Sequence, residues 1–160
     1  MSMLKVLVVD PDAASRSRSV TFLQKDNGVR IVGQAQDGLE VFLLTELLNP
    51  DLIVAEISMP GMNGFELATR MKRQSPLMRF VFLTRHDEES YRVLAEMLPA
   101  DGFVRKSVME TEFPDVLRSI RKHMPHNAVR YGFNAGNGND SKAGHRHRRV
   151  ATGHSLGGVR

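Results

Sequence analysis

The feature that most constrains the fold is a series of short apolar runs, each bounded by turn-forming residues. The runs are Lys5 to Val9, Val29 to Val32, Leu52 to Ile57, Phe80 to Leu83 and Phe103 to Val104. Most of them are continuously apolar rather than alternating, which is typical of strands that are buried on both faces of a parallel sheet. The sequence therefore predicts a sheet that is covered on both sides.

Segments with helical periodicity lie between and after these runs. They are Ala13 to Lys25, Leu39 to Leu48, Phe65 to Arg73, Glu88 to Leu98 and Phe113 to Met124. The last has its apolar residues on one stripe, which is typical of a helix packed on a core. The alternation of strands and helices predicts right-handed βαβ units, and hence a three-layer, doubly wound α/β domain with a five-stranded parallel sheet and five helices.

Charge is distributed unevenly along the chain, which has a formal net charge of +4. After Pro125 the sequence becomes rich in Gly and Asn, and residues 126–160 hold six basic residues against Asp140 alone. This composition is typical of a disordered segment. We therefore expect a domain over residues 1–124 and a disordered, basic, Gly-rich tail over residues 125–160 that binds polyanions weakly and with a steep salt dependence.

The chain contains no cysteine, which excludes disulfides, thiolate metal sites and cysteine redox chemistry. The apolar run that follows Lys5 is too short for a signal peptide or a membrane span. We therefore expect a cytoplasmic protein without membrane association.

Polar side chains stand at the ends of four of the predicted strands. Asp10 and Asp12 follow the first strand, Glu56 lies near the end of the third, Thr84 follows the fourth and Lys106 follows the fifth. Taken singly, each has a simpler interpretation as a helix cap, a turn hydroxyl or a surface lysine. Ligands of open α/β sheets bind outside the carboxyl ends of the strands, so we expect these residues to form one pocket suited to phosphate chemistry.

Several stretches of the sequence resemble the receiver domain of bacterial response regulators, over residues 3–124. Val8 to Asp10 is similar to the acidic corner after the first strand, and Pro50 to Gly64 to the phosphoacceptor strand with its Met-Pro-Gly-Met loop. Phe82 to Thr84 and Gly102 to Lys106 resemble the ends of the last two strands. The resemblance implies the flavodoxin-like strand order 2-1-3-4-5.

The stretch Val32 to Gly38 resembles the subfamily that usually carries a helix-turn-helix output domain, and we expect no such domain in the sequence that follows. In the receiver family, an acidic pair and a phosphoacceptor aspartate hold Mg²⁺, while a threonine and a lysine contact the phosphoryl oxygens. The resemblance assigns the first acid to Asp10, the hydroxyl to Thr84, the lysine to Lys106 and the aromatic switch position to Phe103.

Two positions depart from the family pattern. Pro11 stands in place of the second acid, and Glu56 stands in place of the phosphoacceptor aspartate. Proline offers no side-chain oxygen to Mg²⁺, which needs near-octahedral oxygen ligands. Glutamate moves its carboxylate outward by about 1.5 Å, and a misplacement of about 1 Å can slow a reaction roughly a hundredfold. Asp12 lies one residue too far along and is expected to cap the first helix.

These departures predict a phosphorylation-independent pseudo-receiver that is not an enzyme, has no cofactor and retains only a degenerate Mg²⁺ site at Asp10 and Glu56. We expect Glu56 to pair with Lys106 as an exposed ion pair that partly substitutes for a phosphoryl group, without Thr84 being drawn fully inward. By resemblance, a partner protein would bind the face formed by the fourth helix, fifth strand and fifth helix; a homodimer is an alternative.

Two other functions stay open at this stage. The first is a working phosphoacceptor response regulator of a two-component system, which would use Mg²⁺. The second is a Mg²⁺-dependent phosphatase of the haloacid-dehalogenase type, because Asp10-Pro11-Asp12 with Thr84 and Lys106 resembles the motifs of that family. The phosphatase would need a further acidic pair at a later strand end, and the acids after Lys106 lie in the last predicted helix and the segment that leads into it.

Overall fold

One parallel sheet organises the domain. The computed structural model describes residues 3–85, 89, 93, 96–97 and 100–125. The strands are β1 Leu4–Val9, β2 Val29–Ala35, β3 Leu52–Ala55, β4 Arg79–Thr84 and β5 Gly102–Arg105. They pair in the order β2-β1-β3-β4-β5, with every neighbouring pair parallel. The predicted doubly wound fold and its strand order are confirmed.

Four α-helices are complete within the described residues. They are α1 Ala13–Leu23, α2 Gly38–Leu48, α3 Gly64–Gln74 and α4 Met109–Lys122, the last preceded by a 3-10 turn, Lys106–Val108. Helix α4 is the fifth helix predicted from the sequence. Of the fourth predicted helix, Glu88 to Leu98, the described residues 89, 93, 96 and 97 are helical. The predicted tail and its polyanion binding lie outside the described residues and stay predictions.

The predicted start of the last helix is wrong by one turn. The apolar stripe placed it at Phe113, whereas α4 begins at Met109, which is buried in the core. Three polar residues, 110–112, separate these two positions and interrupt the apolar pattern. Glu110 and Glu112 suit the first turn of a helix because carboxylates are favoured near the positive end of the helix dipole.

The core consists of two layers, one on each face of the sheet. Successive residues of β1 point to opposite faces: Val6 and Val8 pack with side chains of α1 and α4, and Leu7 and Val9 pack with side chains of α2 and α3. Each face of the central strands is therefore covered by a pair of helices. None of the helices in the described part of the chain is long and apolar enough to cross a membrane.

Side-chain caps begin the three helices that follow β1, β2 and β3. Asp12, Asp37 and Asn63 accept hydrogen bonds from backbone N–H groups in the first turns of α1, α2 and α3. Gly64 lets α3 approach the end of β3, since a Cβ atom there would lie 2.7 Å from the carbonyl oxygen of Glu56. The caps and this glycine hold the loops around the carboxyl ends of β1, β2 and β3.

Asp101 anchors the start of β5 to β4. Its carboxylate accepts hydrogen bonds from Arg79 Nη1 at 2.8 Å, the backbone N–H of Phe80 at 2.8 Å and Lys72 Nζ at 3.3 Å. Burial alone would raise the pKa of the Asp101 carboxyl, but these hydrogen bonds and the charge of Lys72 outweigh it and hold the pKa below its usual range. The position of β5 therefore depends on an ionised Asp101.

We expect Asp101→Asn to lower the free energy of unfolding by about 1–3 kcal/mol at neutral pH, because a partly buried charged acceptor is lost. A carboxyl with a depressed folded-state pKa stabilises the protein above the unfolded pKa of about 3.9, and this contribution is lost as the pH falls through the folded-state pKa. Urea unfolding should therefore show a difference between variant and wild type that shrinks below about pH 4.

The matched control for this prediction is Asp115→Asn. Asp115 pairs with Arg118 on α4, and both side chains are largely exposed. Such pairs contribute about 0–1 kcal/mol, so the control should have little effect at either pH. A stability loss in Asp101→Asn that is equal at neutral and acidic pH would contradict the proposed role of the Asp101 charge.

Candidate functional site

Four of the predicted residues meet at the carboxyl ends of the strands. Asp10 follows β1, Glu56 follows β3, Thr84 ends β4 and Lys106 follows β5. Lys106 Nζ lies 2.7 Å from Asp10 Oδ2 and 2.6 Å from Glu56 Oε2. Thr84 Oγ1 donates a hydrogen bond to Glu56 Oε1 at 2.9 Å. We call these four residues the strand-end cluster.

Glu56 has both carboxylate oxygens engaged. Besides the Thr84 hydroxyl, Glu56 Oε1 accepts hydrogen bonds from the backbone N–H groups of Ile57 at 2.8 Å and Ser58 at 3.2 Å. Glu56 Oε2 contacts the Lys106 ammonium. The longer side chain therefore folds back onto the backbone that follows it.

The expectation of an exposed Glu56–Lys106 pair is wrong. The Glu56 side chain is 7% exposed and that of Lys106 is 12% exposed. Thr84 is completely buried, with its hydroxyl on Glu56, although the sequence argument did not require it to be drawn fully inward. The reason is the backbone contact just described, because it keeps the carboxylate inside the pocket instead of extending it toward solvent.

Asp10 is the second buried acid of the cluster. Its Oδ1 accepts a hydrogen bond from the backbone N–H of Asp12 at 2.9 Å, and its Oδ2 contacts Lys106. Arg16 Nη1 donates to the carbonyl oxygen of Asp10 at 2.6 Å. Lys106 thus pairs with two carboxylates at once, and its single charge offsets one of their two negative charges. The contact with Asp10 was not predicted.

Asp12 caps α1, as predicted. Asp12 Oδ1 accepts the backbone N–H of Ser15 at 3.0 Å, and Asp12 Oδ2 pairs with Arg85 Nη2 at 2.9 Å. These two interactions, that of Ser15 first, lower the pKa of the Asp12 carboxyl. Sequence reasoning missed Arg85, although it directly follows Thr84 at the end of β4 and so met the positional criterion used for the other site residues.

The two remaining candidates lie beside the cluster. Pro11 lines a neighbouring depression with residues of the loops after β2 and β3, including Gly38 and Met62. Phe103 lies in β5 and is partly buried against the core layer beneath α2 and α3. The locations of Pro11 and Phe103 do not show whether these residues have the roles that the family resemblance implies. Those roles are the position of the second acid for Pro11 and the aromatic switch for Phe103.

The residues at this pocket do not fit a Mg²⁺ site. Asp10 and Glu56 are its buried carboxylates, and the Lys106 ammonium bridges them. A Mg²⁺ ion would need near-octahedral oxygen ligands at about 2.0–2.1 Å, whereas both oxygens of Glu56 and Oδ2 of Asp10 are already engaged by hydrogen-bond donors. Pro11 adds no oxygen, and the described residues contain no group of three or more His, Cys, Asp or Glu side chains placed to hold a metal.

The strand order agrees with a comparison across protein families. The model of the response regulator receiver domain matches residues 6–118, which is more than half of the chain. The chain belongs to the response regulator receiver family. This assignment favours a two-component signalling module over a haloacid-dehalogenase-type phosphatase.

Curated relatives of this receiver are longer proteins. It is 29% identical over 118 residues to response regulator GacA of Pseudomonas aeruginosa, covering 74% of this chain and 55% of that protein. It is 31% identical over 117 residues to the nitrate/nitrite response regulator NarL of Escherichia coli, covering 73% of this chain and 53% of that protein. The chain spans about half the length of these relatives.

Solved structures show the same fold. The signal receiver domain of the putative response regulator NarL from Mycobacterium tuberculosis matches with a TM-score of 0.68 and 28% identity, over 78% of this chain and all of that one. The isolated receiver domain of RcsB from Salmonella enterica serovar Typhimurium, determined with the phosphomimetic BeF3⁻, matches with a TM-score of 0.71 and 22% identity, over 76% of this chain and 91% of that one. The second likeness shows the fold alone.

Proposed function

We propose that this receiver signals through protein contacts without being phosphorylated. The observation that carries the proposal is the arrangement around Glu56. Its carboxylate accepts hydrogen bonds from the Thr84 hydroxyl and two backbone N–H groups, and it pairs with the Lys106 ammonium. By resemblance, the hydroxyl and the ammonium are the groups that would otherwise contact a phosphoryl group.

Phosphorylation of Glu56 would require a free carboxylate oxygen aligned with the incoming phosphorus atom. Both oxygens instead face hydrogen-bond donors at distances of 2.6–3.2 Å. The pocket also lacks the second acid that would help Mg²⁺ to neutralise the incoming phosphate, because Pro11 occupies that position. The position of the nucleophile and the lack of charge compensation therefore both oppose phosphoryl transfer. A conventional phosphoacceptor receiver is the second candidate function.

The Glu56 carboxylate is a partial substitute for a phosphoryl group. It carries one charge and two oxygens, whereas a phosphoryl group carries about −1.5 to −2 charges and three oxygens. Burial strengthens the pairing, since charges are screened less inside a protein than at its surface. We propose that this buried pairing holds Thr84 and Lys106 in one arrangement.

A partner is proposed to bind the face formed by the fourth predicted helix, β5 and α4. Two apolar side chains on that helix support this face: Val93 is 48% exposed and Met97 is 78% exposed. Residues four apart lie next to each other on the surface of a helix. Exposed apolar side chains that lie together are typical of protein contact surfaces.

Helix α2 carries a second exposed apolar surface. Leu39, Leu43 and Leu47 are exposed and recur at every fourth residue, so they lie on one side of the helix. A homodimer, the alternative partner predicted from the sequence, would need a surface of this kind. It stays a prediction.

The test of the proposed function is affinity purification of the tagged chain from its native host, followed by measurement of the dissociation constant of the purified pair. We expect Val93→Glu/Met97→Glu to weaken the pair at least tenfold, because a tenfold change corresponds to only about 1.4 kcal/mol and two carboxylates would be placed in an apolar contact. Acetyl phosphate with Mg²⁺ should leave the dissociation constant unchanged.

The matched control for the partner experiment is Leu77→Glu. Leu77 is 63% exposed and lies between α3 and β4, outside the proposed face. It should bind the partner like the wild type. Equal weakening by Leu77→Glu would argue against the face, and a tenfold or larger effect of acetyl phosphate would support the conventional phosphoacceptor instead.

A further inference from the structure

A cavity of about 230 Å³ lies next to the strand-end cluster, between α1 and the start of α4. Its lining residues are Ser15, Arg18, Ser19, Arg85, Lys106, Ser107 and Met109. Among the residues that the structure describes, the lining offers three cationic side chains and three hydroxyls, and no carboxylate side chain. We propose that this cavity binds a small dianionic phosphate compound, either inorganic phosphate or a phosphate monoester.

The cationic side chains are available to a ligand to different degrees. Arg18 is exposed and forms no ion pair or hydrogen bond with any residue in the described part of the chain. Arg85 pairs with Asp12 at 2.9 Å, but both side chains are about half exposed, and such surface pairs are weak. The Lys106 ammonium contacts Asp10 and Glu56, and its third hydrogen is left for a ligand.

Arg18 is the side chain best suited to hold the anion. A guanidinium group stays charged at any physiological pH and can donate two parallel hydrogen bonds to phosphate oxygens. Arg85 could turn from Asp12 to the same ligand at small cost, because the existing pair is exposed to solvent. Two guanidinium groups in the cavity lining, one from α1 and one following β4, would balance the two charges of the anion.

Hydroxyl groups complete the lining. Ser15 is 7% exposed, and its hydroxyl forms no hydrogen bond with any other described residue. Ser19 is also buried, and its Oγ donates to the carbonyl oxygen of Ser15 at 3.1 Å. The Ser15 hydroxyl would donate a hydrogen bond to an oxygen of an anion in the cavity.

The volume of the cavity limits the ligand to a small anion. About 230 Å³ corresponds to roughly eight water molecules at about 30 Å³ each. Pockets for drug-sized ligands are usually about 300–1,000 Å³, so the cavity suits a phosphate group with a short substituent rather than a nucleotide. The inference rests on this cavity alone and is independent of whether Glu56 can be phosphorylated.

The test is to titrate the full-length chain with sodium phosphate and to monitor its amide chemical shifts by NMR. A control titration uses sodium chloride at equal ionic strength. We expect saturable shifts at Ser15, Ser19 and Ser107 with phosphate only. Arg18→Gln should raise the dissociation constant at least tenfold, whereas folding should be unaffected because Arg18 is exposed and forms no hydrogen bond or ion pair with the described residues. The absence of saturable shifts up to about 10 mM would overturn the proposal.

The matched control is Arg118→Gln, which removes an exposed arginine of α4 that lies outside the cavity lining. It should bind phosphate like the wild type, and an equal loss in both variants would show unspecific charge attraction and overturn the site. A second titration with phenyl phosphate distinguishes the two ligand sources. Tighter binding of phenyl phosphate than of inorganic phosphate assigns the site to a monoester. Equal or weaker binding of phenyl phosphate assigns it to free phosphate. Both results support the site.

Discussion

We expect acetyl phosphate and Mg²⁺ to leave the intact mass of the wild-type chain unchanged, under conditions in which Pro11→Asp/Glu56→Asp gains one phosphoryl group. Glu56→Asp shortens the side chain by one methylene and so releases Thr84 and Lys106 for the phosphoryl oxygens. Pro11→Asp supplies a further carboxylate next to Asp10, as Mg²⁺ requires. The adduct should be removed by hydroxylamine, as expected for an acyl phosphate.

The single variants separate the two defects. Each should react far more slowly than the double variant, by about a hundredfold if a misplacement near 1 Å is the cause. The matched control is Pro11→Asn/Glu56→Asp, which has nearly the same shape without the additional charge and should also react slowly. A stoichiometric adduct on the wild-type chain would contradict phosphorylation-independent signalling, and an inert double variant would show that Pro11 and Glu56 are not what blocks the reaction.

The second large effect is expected from Lys106→Met, which should lower the free energy of unfolding by about 3–5 kcal/mol. The substitution removes the cation that bridges Asp10 and Glu56, both of which are buried. Two carboxylates would then share a poorly hydrated site without a counter-charge. Because domains are stable by only about 5–15 kcal/mol, urea unfolding should show a large shift of the midpoint.

A double-mutant cycle tests whether this loss arises from the buried charges. Lys106→Met/Glu56→Gln should cost less than the sum of the two single variants, with a coupling of about 0.5–3 kcal/mol. The control Lys122→Met removes an exposed lysine at the end of α4 and should change stability by at most about 0.5 kcal/mol. Strictly additive losses would mean that Lys106 and Glu56 do not stabilise each other.

The sequence predicted the fold because most of the apolar runs are continuous and alternate with helical segments, so their assignment to a covered parallel sheet had few alternatives. The same assignment predicted which side chains meet, since Asp10, Glu56, Thr84 and Lys106 all stand at the same end of their strands. Strand position therefore pointed to all four members of the strand-end cluster, and also to Asp12, which caps α1.

The details that sequence reasoning missed depend on tertiary packing. The direction of the Glu56 side chain follows from hydrogen bonds to the backbone of Ile57 and Ser58, and a residue type does not specify such a rotamer. The Arg85–Asp12 pair joins residues that lie 73 positions apart in the chain. The cavity around Arg18 exists only because α1 and the start of α4 lie on the same face of the sheet.

The Glu56 carboxylate has a consequence for the timing of a response. A phosphoryl group on a carboxylate is lost by hydrolysis, so a phosphorylated receiver returns to its resting state after a limited lifetime. Glu56 is a permanent part of the chain, and under the proposed function its arrangement with Lys106 persists until the protein is degraded. The strength of the signal would then depend on the amount of this receiver in the cell, which is set by the rates of its synthesis and degradation. It would not depend on a transient phosphorylation.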